Sequence, residues 1–229
     1  MTRRVVGVLG GMGPEATILL QQRLLKTVDA RDDSDHLPLL IDMNPQVPSR
    51  IAHLIEKRGA NPGPVLAEMA RRLQDAGATA LAMPCNTAHH YVPYITATTT
   101  VPFLDMVTLS VAAAARQSSP VRKIGILASP AVQYAGVFDD ALKSREFSAI
   151  WPETLENMLS AIKLVKAAGP VPEARCILMD AAAELSRNGA DLLFVACSEF
   201  SLMTHDLIAD VPVIDTVDVL ASAIHSHTT

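Results

Sequence analysis

LQDAGATALAMPCNT (residues 73–87) and LSRNGADLLFVACSE (residues 185–199) are two versions of one design. Each leaves an amphipathic stretch through a glycine, enters an apolar strand-like run, and closes on a cysteine followed by polar residues: Cys85-Asn86-Thr87 and Cys197-Ser198-Glu199. Two more pairs flank them in the same order. RRVVGVLGG (3–11) is echoed by VRKIGILAS (121–129), and VPFLDMVTLSVAAA (101–114) by VPVIDTVDVLASAI (211–224). The offsets are 118, 112 and 110 residues, so the chain carries an internal duplication in register.

The strand-like runs of both copies, together with LPLLIDMN (37–44), alternate with amphipathic stretches such as 64–76 and 173–188. Alternation of this kind predicts α/β architecture with mostly parallel sheets covered by helices. Each half has the parts of one small doubly wound unit, in which ligands bind beyond the carboxyl ends of the strands. Two such halves facing one another place equivalent strand tips on opposite walls of one cleft. Both of those tips carry a cysteine.

Composition narrows the partners. Of 229 residues, 49% are hydrophobic and 19% charged, enough apolar material for a sizeable core. The formal net charge of −5, with no basic run interleaved with aromatics, offers no footprint for nucleic acid or an anionic membrane. The N-terminus lacks the long apolar core of a signal peptide, and no stretch of about 20 apolar residues is present. A cytoplasmic protein is expected. Three widely spaced cysteines suit reduced thiols better than a disulfide framework. Cys176 falls inside a predicted helix and reads as core.

A thiol at a helix N-terminus meets unsatisfied backbone N–H groups and the positive end of the dipole, which favour thiolate. One thiolate and one thiol on opposite faces of a substrate carbon can remove a proton from one side and supply it from the other, inverting configuration. Asn86, Thr87, Ser198 and nearby backbone N–H groups stand where they can stabilise charge on a substrate carboxylate. The bland reading, cysteine as a small buried apolar residue, explains one such site better than two at duplicated positions.

Gly10-Gly11-Met12-Gly13-Pro14-Glu15-Ala16-Thr17 follows a strand and opens a helix, with Pro14 suited to the first turn. From Gly11 it also satisfies G-x-G-x-x-A, the dinucleotide fingerprint, although the acid that ends the second strand, Asp42, comes about 30 residues on rather than about 20. A tight strand-to-helix turn is an equally good account. His89 lies one helical turn from Cys85; it reads as a helix residue that lines the cleft at most. Asp105 and Asp215 read as helix N-caps, and His225 and His227 as part of a frayed tail. No metal-ligand cluster stands at zinc-like spacing.

The strings GGMGPEAT (10–17), MNPQVPSR (43–50), MPCNTAH (83–89) and ACSE (196–199) together resemble the aspartate/glutamate racemase superfamily, most closely its aspartate racemase branch. The resemblance implies two flavodoxin-like halves related by a pseudo-dyad, here 1–100 plus 211–229 and 101–210, with the active site between them. It implies racemisation of aspartate, or of glutamate or another amino acid, without pyridoxal phosphate, other cofactor or metal, in a homodimer. By the resemblance Cys85 and Cys197 match the catalytic cysteines, and Asn86, Thr87 and Ser198 the holders of the α-carboxylate. Met12 and Gly13 match the loop lining the site; Asn44 and Arg50 match the segment whose arginine grips the side-chain carboxylate. Ser129 matches a hydroxyl position, and Lys163 and Lys166 both fit a family lysine, with Lys166 preferred. The chain departs from the family with Ser198 for threonine, Ala196 for glycine and Val132 for a second threonine. It has Gly10-Gly11 where glutamate racemases carry Asp-Ser. Alternatives are a nicotinamide-dependent oxidoreductase using the glycine loop, a diacid isomerase of the same superfamily, and a non-catalytic small-acid binding protein.

Overall fold

Val6–Gly10 is a strand with every residue buried, as expected of the central strand of a parallel sheet covered on both faces. The computed structural model describes residues 4–229, so Arg3, which opens the first repeated string, lies outside the described residues. The first half runs β1 (Val6–Gly10), α1 (Pro14–Lys26), β2 (Leu39–Met43), α2 (Arg50–Leu54), α3 (Gly63–Asp75), β3 (Ala80–Ala82), α4 (Val92–Thr96), β4 (Phe103–Leu104) and α5 (Met106–Ala114). The second runs β5 (Lys123–Leu127), α6 (Pro130–Tyr134), α7 (Asp139–Lys143), β6 (Ser148–Ile150), α8 (Leu155–Ala168), α9 (Pro172–Arg187), β7 (Leu192–Val195), α10 (Ser198–Ser201), β8 (Val213–Asp215) and α11 (Thr216–Thr228).

Two parallel four-stranded sheets result, in the orders β2-β1-β3-β4 and β6-β5-β7-β8. These are one topology repeated, the doubly wound arrangement expected from the duplicated strings. The likeness extends to packing. A Cβ added to Gly7 would lie 2.9 Å from Ala78 Cβ and 3.0 Å from Leu73 Cβ and a Leu81 methyl. At Gly125 the clashing atoms belong to Leu193, Leu185 and Ala190. The residues correspond one for one between halves. A glycine in each central strand lets α3 or α9 approach its sheet closely.

Strand β6 is absent from the sequence reading. Its three residues are exposed or half-buried at a sheet edge, so no apolar run announces it. The closing helices are exchanged. Val107, Val111 and Ala114 of α5 pack with Ile124, Ile126 and Phe194 of the second sheet. Val217, Leu220, Ala221 and Ile224 of α11 pack with Val6, Val8 and Leu20 of the first half. Ladder pairing keeps β4 with β3 and β8 with β7. Each VP turn thus leads into a strand bonded to its own sheet, and the helix that follows packs on the other.

Two expectations are corrected here. Cys176 is exposed, not core. The buried stripe of α9 comprises Ala174, Leu178, Ala181, Ala182 and Leu185, and Cys176 stands two residues, about 200° of helix turn, from Ala174. The C-terminal tail is not frayed: α11 continues to Thr228, with His227 Nε2 3.2 Å from Thr79 Oγ1 and His225 Nδ1 3.2 Å from Thr27 Oγ1. Asp105 and Asp215 cap α5 and α11 as expected, accepting from Thr108 N at 3.0 Å and Val217 N at 2.9 Å. Among the described residues no helix is long and apolar enough to cross a membrane.

Candidate active site

The chain leaves β1, β3, β5 and β7 at one end of each sheet, and there residues of both halves line one cleft. The first half contributes Met12 after β1, Cys85 and Thr87 after β3, and Ser49, Arg50 and Ile51 at the start of α2. From the second half come Ser129 after β5, Cys197 and Glu199 after β7, and Ile162 and Lys166 on α8. Cys85 and Cys197, 8% and 7% exposed, thus line one cavity from opposite halves.

Cys197 is the N-cap of α10, and its Sγ–H donates to Glu199 Oε2 at 3.0 Å. The other carboxylate oxygen of Glu199 lies 3.3 Å from Lys166 Nζ. Burial first, then the Glu199 charge, pushes the Cys197 thiol well above its ordinary range. This corrects the expectation of a helix-lowered thiol for Cys197. A helix of four residues aligns few peptide dipoles, and desolvation outweighs them. Cys197 is held as a thiol, hydrogen-bonded to a carboxylate.

Arg50 begins α2, whose N-cap Ser49 accepts from Ala52 N at 3.2 Å. Its Nη1 donates to Val47 O at 3.2 Å and Pro48 O at 3.0 Å, which orients the guanidinium. Among the described residues no carboxylate pairs with it. The cleft therefore holds one unpaired guanidinium and one ammonium paired to Glu199. Behind Arg50, Tyr91 donates to or accepts from His53 Nδ1 at 2.8 Å, and burial raises its phenol to about 12, so it stays neutral.

Seven of the sequence-derived site residues line this cleft: Cys85, Cys197, Met12, Arg50, Thr87, Ser129 and Lys166. Lys163 is not among the lining residues. Ser129 also caps α6, accepting from Ala131 N at 3.3 Å. Four others, Gly13, Asn44, Asn86 and Ser198, are not among the lining residues. Gly13 is the N-cap of α1, and a Cβ there would lie 3.9 Å from Glu199 Oε1. Asn44 binds the glycine loop through its backbone N–H to Gly10 O at 3.3 Å. Its side chain accepts from Gln46 N and faces Met69 Sδ. Asn86 and Ser198 are each only 2% exposed. Asn86 occupies the N-cap of the 3₁₀ turn Thr87–Tyr91 but makes no side-chain cap; its Nδ2 donates to Thr216 Oγ1 at 2.9 Å instead.

The glycine loop has a local explanation. Gly11 has φ +90, and a Cβ would lie 2.4 Å from the Asn44 carbonyl carbon, so the residue must be glycine for the two loops to touch. Thr17 Oγ1 accepts from Gly11 N at 3.0 Å, closing the turn. Asp42, the acid at the end of β2, is engaged by Arg72 at 2.6 Å and 3.2 Å. His89 is likewise not on the cleft. It is 7% exposed, with Nδ1 2.9 Å from Cys85 O, while Met106 N donates to its Nε2 at 3.2 Å. The second contact needs an unprotonated Nε2, so the ring is neutral with its proton on Nδ1. Burial lowers its pKa, in keeping with that state.

Glu199, Ser49, Ile51 and Ile162 were missed by sequence reading. Glu199 had a usable signal, an acid two positions after a candidate cysteine. The others reach the cleft only because α2 and α8 fold over it.

Residues 9–224 match the family described as Asp/Glu/hydantoin racemase. The chain is 24% identical over 230 residues to the broad specificity amino-acid racemase RacX of Bacillus subtilis (strain 168), covering 96% of each. Its structure is similar to that of Picrophilus torridus aspartate racemase, with a TM-score of 0.85 and 26% identity over 98% of this chain and 94% of that one. An aspartate racemase homologue from Pyrococcus horikoshii OT3 superposes with a TM-score of 0.74 over 97% and 98% of the two chains, a likeness of fold at 17% identity. This chain belongs to the Asp/Glu/hydantoin racemase family and is an isomerase, an amino-acid racemase.

Proposed function

We propose that the chain racemises aspartate, and accepts related amino acids, by two-base proton transfer between Cys85 and Cys197. The observation that supports this reading is the presence of the two duplicated strand-tip thiols in the lining of one cleft, one from each half. Cys85, as thiolate, takes the α-hydrogen: the C–H bond breaks, an S–H bond forms, and the electron pair stays on the carbon. The Cys197 thiol then returns its own proton to the other face and is left as thiolate, which Lys166 stabilises. The reverse reaction exchanges the two roles.

An acidic substrate suits the cations present. Arg50 presents a planar, bidentate donor to one carboxylate. Lys166 meets the other by exchanging its Glu199 contact for a substrate contact. Thr87 and Ser129 add hydroxyl donors, and Ile51 and Ile162 bound the room left for the side chain. Acceptance of several amino acids would parallel the broad specificity named for the Bacillus subtilis relative.

The test is α-deuterium uptake in heavy water with L- and D-aspartate and a panel of other amino acids. The wild-type chain is expected to incorporate deuterium and invert configuration. Cys85→Ser and Cys197→Ser are each expected to lose inversion. Full racemisation by either variant overturns the mechanism, and uptake confined to other amino acids overturns the aspartate assignment.

A further inference from the structure

We infer that Thr216 is a positioning residue of the racemisation, a hydroxyl strut that sets the spacing of the two cysteine segments; this rests on the two-cysteine reading above. Thr216 is fully buried at the start of α11, the helix that crosses from the second half to the first. Its Oγ1 donates to Val195 O at 3.0 Å, at the end of β7 and two residues before Cys197. The same oxygen accepts from Asn86 Nδ2 at 2.9 Å, and Asn86 directly follows Cys85. One hydroxyl thus ties the two catalytic tips together across the halves.

The direction of this relay is fixed by proton count. A hydroxyl has one proton, and the Val195 carbonyl can only accept, so Thr216 must give its proton there. Asn86 is then obliged to present its amide N–H, and its Oδ1 is left buried with no hydrogen-bond partner among the described residues. An orphaned buried acceptor costs stability and calls for a compensating role. Holding the Cys85 segment at a set distance from β7 is such a role.

The strut is not a by-product of the duplication. The residue equivalent to Thr216 is Met106, which has no hydroxyl. On that side the tie is made differently: Met106 N donates to His89 Nε2, and His89 binds Cys85 O. Thr216 instead links one cysteine segment to the other. The reaction requires both sulfurs within hydrogen-bond reach of the same carbon, and misplacement by about 1 Å can cost about 100-fold in rate.

Thr216→Val keeps the volume and branching but removes the hydroxyl; Thr216→Ser restores it, and Thr216→Ala serves if the valine variant does not fold. All are measured in the full chain with L- and D-aspartate in heavy water. For Thr216→Val or Thr216→Ala, kcat is expected to fall at least tenfold with KM within twofold of wild type. The ratio of deuterium uptake without inversion to inversion is expected to rise, because one sulfur still forms the carbanion while the other reprotonates it poorly. Thr216→Ser is expected to lie near wild type in both measures. Loss of stability with an unchanged kcat per folded molecule and an unchanged ratio overturns the strut, as does a serine variant as impaired as the valine one. Failure of the underlying reading looks different, since Cys85→Ser or Cys197→Ser would then remain fully active.

Discussion

Asp105 and Asp215 occupy equivalent places in the two halves, and replacing each by alanine should have unequal consequences. Asp215 is 5% exposed and accepts three hydrogen bonds: Ser201 Oγ at 2.7 Å, Thr204 Oγ1 at 2.8 Å and Val217 N at 2.9 Å. Asp105 is half-buried and accepts one, from Thr108 N at 3.0 Å. Loss of an N-cap costs about 1 kcal/mol. At Asp215 two buried hydroxyl donors also lose their acceptor, at about 1–3 kcal/mol each. The low end applies, because Ser201 can turn to Cys197 O and Thr204 to Phe200 O, both at 3.4 Å. Burial also raises the Asp215 pKa, so removal of the carboxylate returns part of its desolvation cost. Asp215→Ala is therefore expected to cost about 2–3 kcal/mol and Asp105→Ala about 1 kcal/mol. At about 2–4 °C per kcal/mol for a chain of this size, Tm should fall by about 4–12 °C and 2–4 °C respectively. Urea unfolding with an unchanged m-value, alongside calorimetry, measures both. Equal losses at the two positions would refute the reasoning from buried hydrogen bonds.

Two further outcomes follow from the titratable groups at the cleft. Glu199→Gln removes a carboxylate that raises the Cys197 thiol and frees Lys166 to favour thiolate, so alkylation of Cys197 should begin at lower pH. This is read on a Cys85→Ser, Cys176→Ser background, and an unchanged or higher onset would contradict the role given to Glu199. His89 is held neutral by burial, whereas in the unfolded chain it titrates near 6.5. The unfolded state therefore takes up a proton first as pH falls below about 6.5, and stability declines until the lowered folded pKa is reached, by at most about 1.4 kcal/mol per pH unit from this group. His89→Gln should flatten that slope in urea unfolding between pH 7 and pH 5; an undiminished slope would assign it elsewhere.

Most of the architecture was legible in the chain because duplication is a property of sequence. Repeated strings from Gly7 to Gly125 and from Cys85 to Cys197 carry their own alignment, and apolar runs bounded by glycine and proline mark buried parallel strands. The capping of α5 and α11 by Asp105 and Asp215 was equally local: a short acidic side chain and a following amide suffice. Cys176 was misplaced because a helix's burial depends on which stripe faces the sheet. The C-terminal histidines were misplaced because their partners, Thr27 and Thr79, are remote in sequence.

What the residues determined by themselves is the repeated α/β unit and the two cysteines at its strand tips, since both follow from short-range pattern. Tertiary structure alone decided the exchange of α5 and α11 between the sheets, the arrival of Ser49, Ile51 and Ile162 at the cleft, and the bond from Asn86 to Thr216. It also set the protonation of Cys197, which depends on burial and on the Glu199 carboxylate, itself held by Lys166, more than on the helix that follows. These are contacts between segments far apart in the chain, and their energies come from desolvation and geometry that no local pattern encodes.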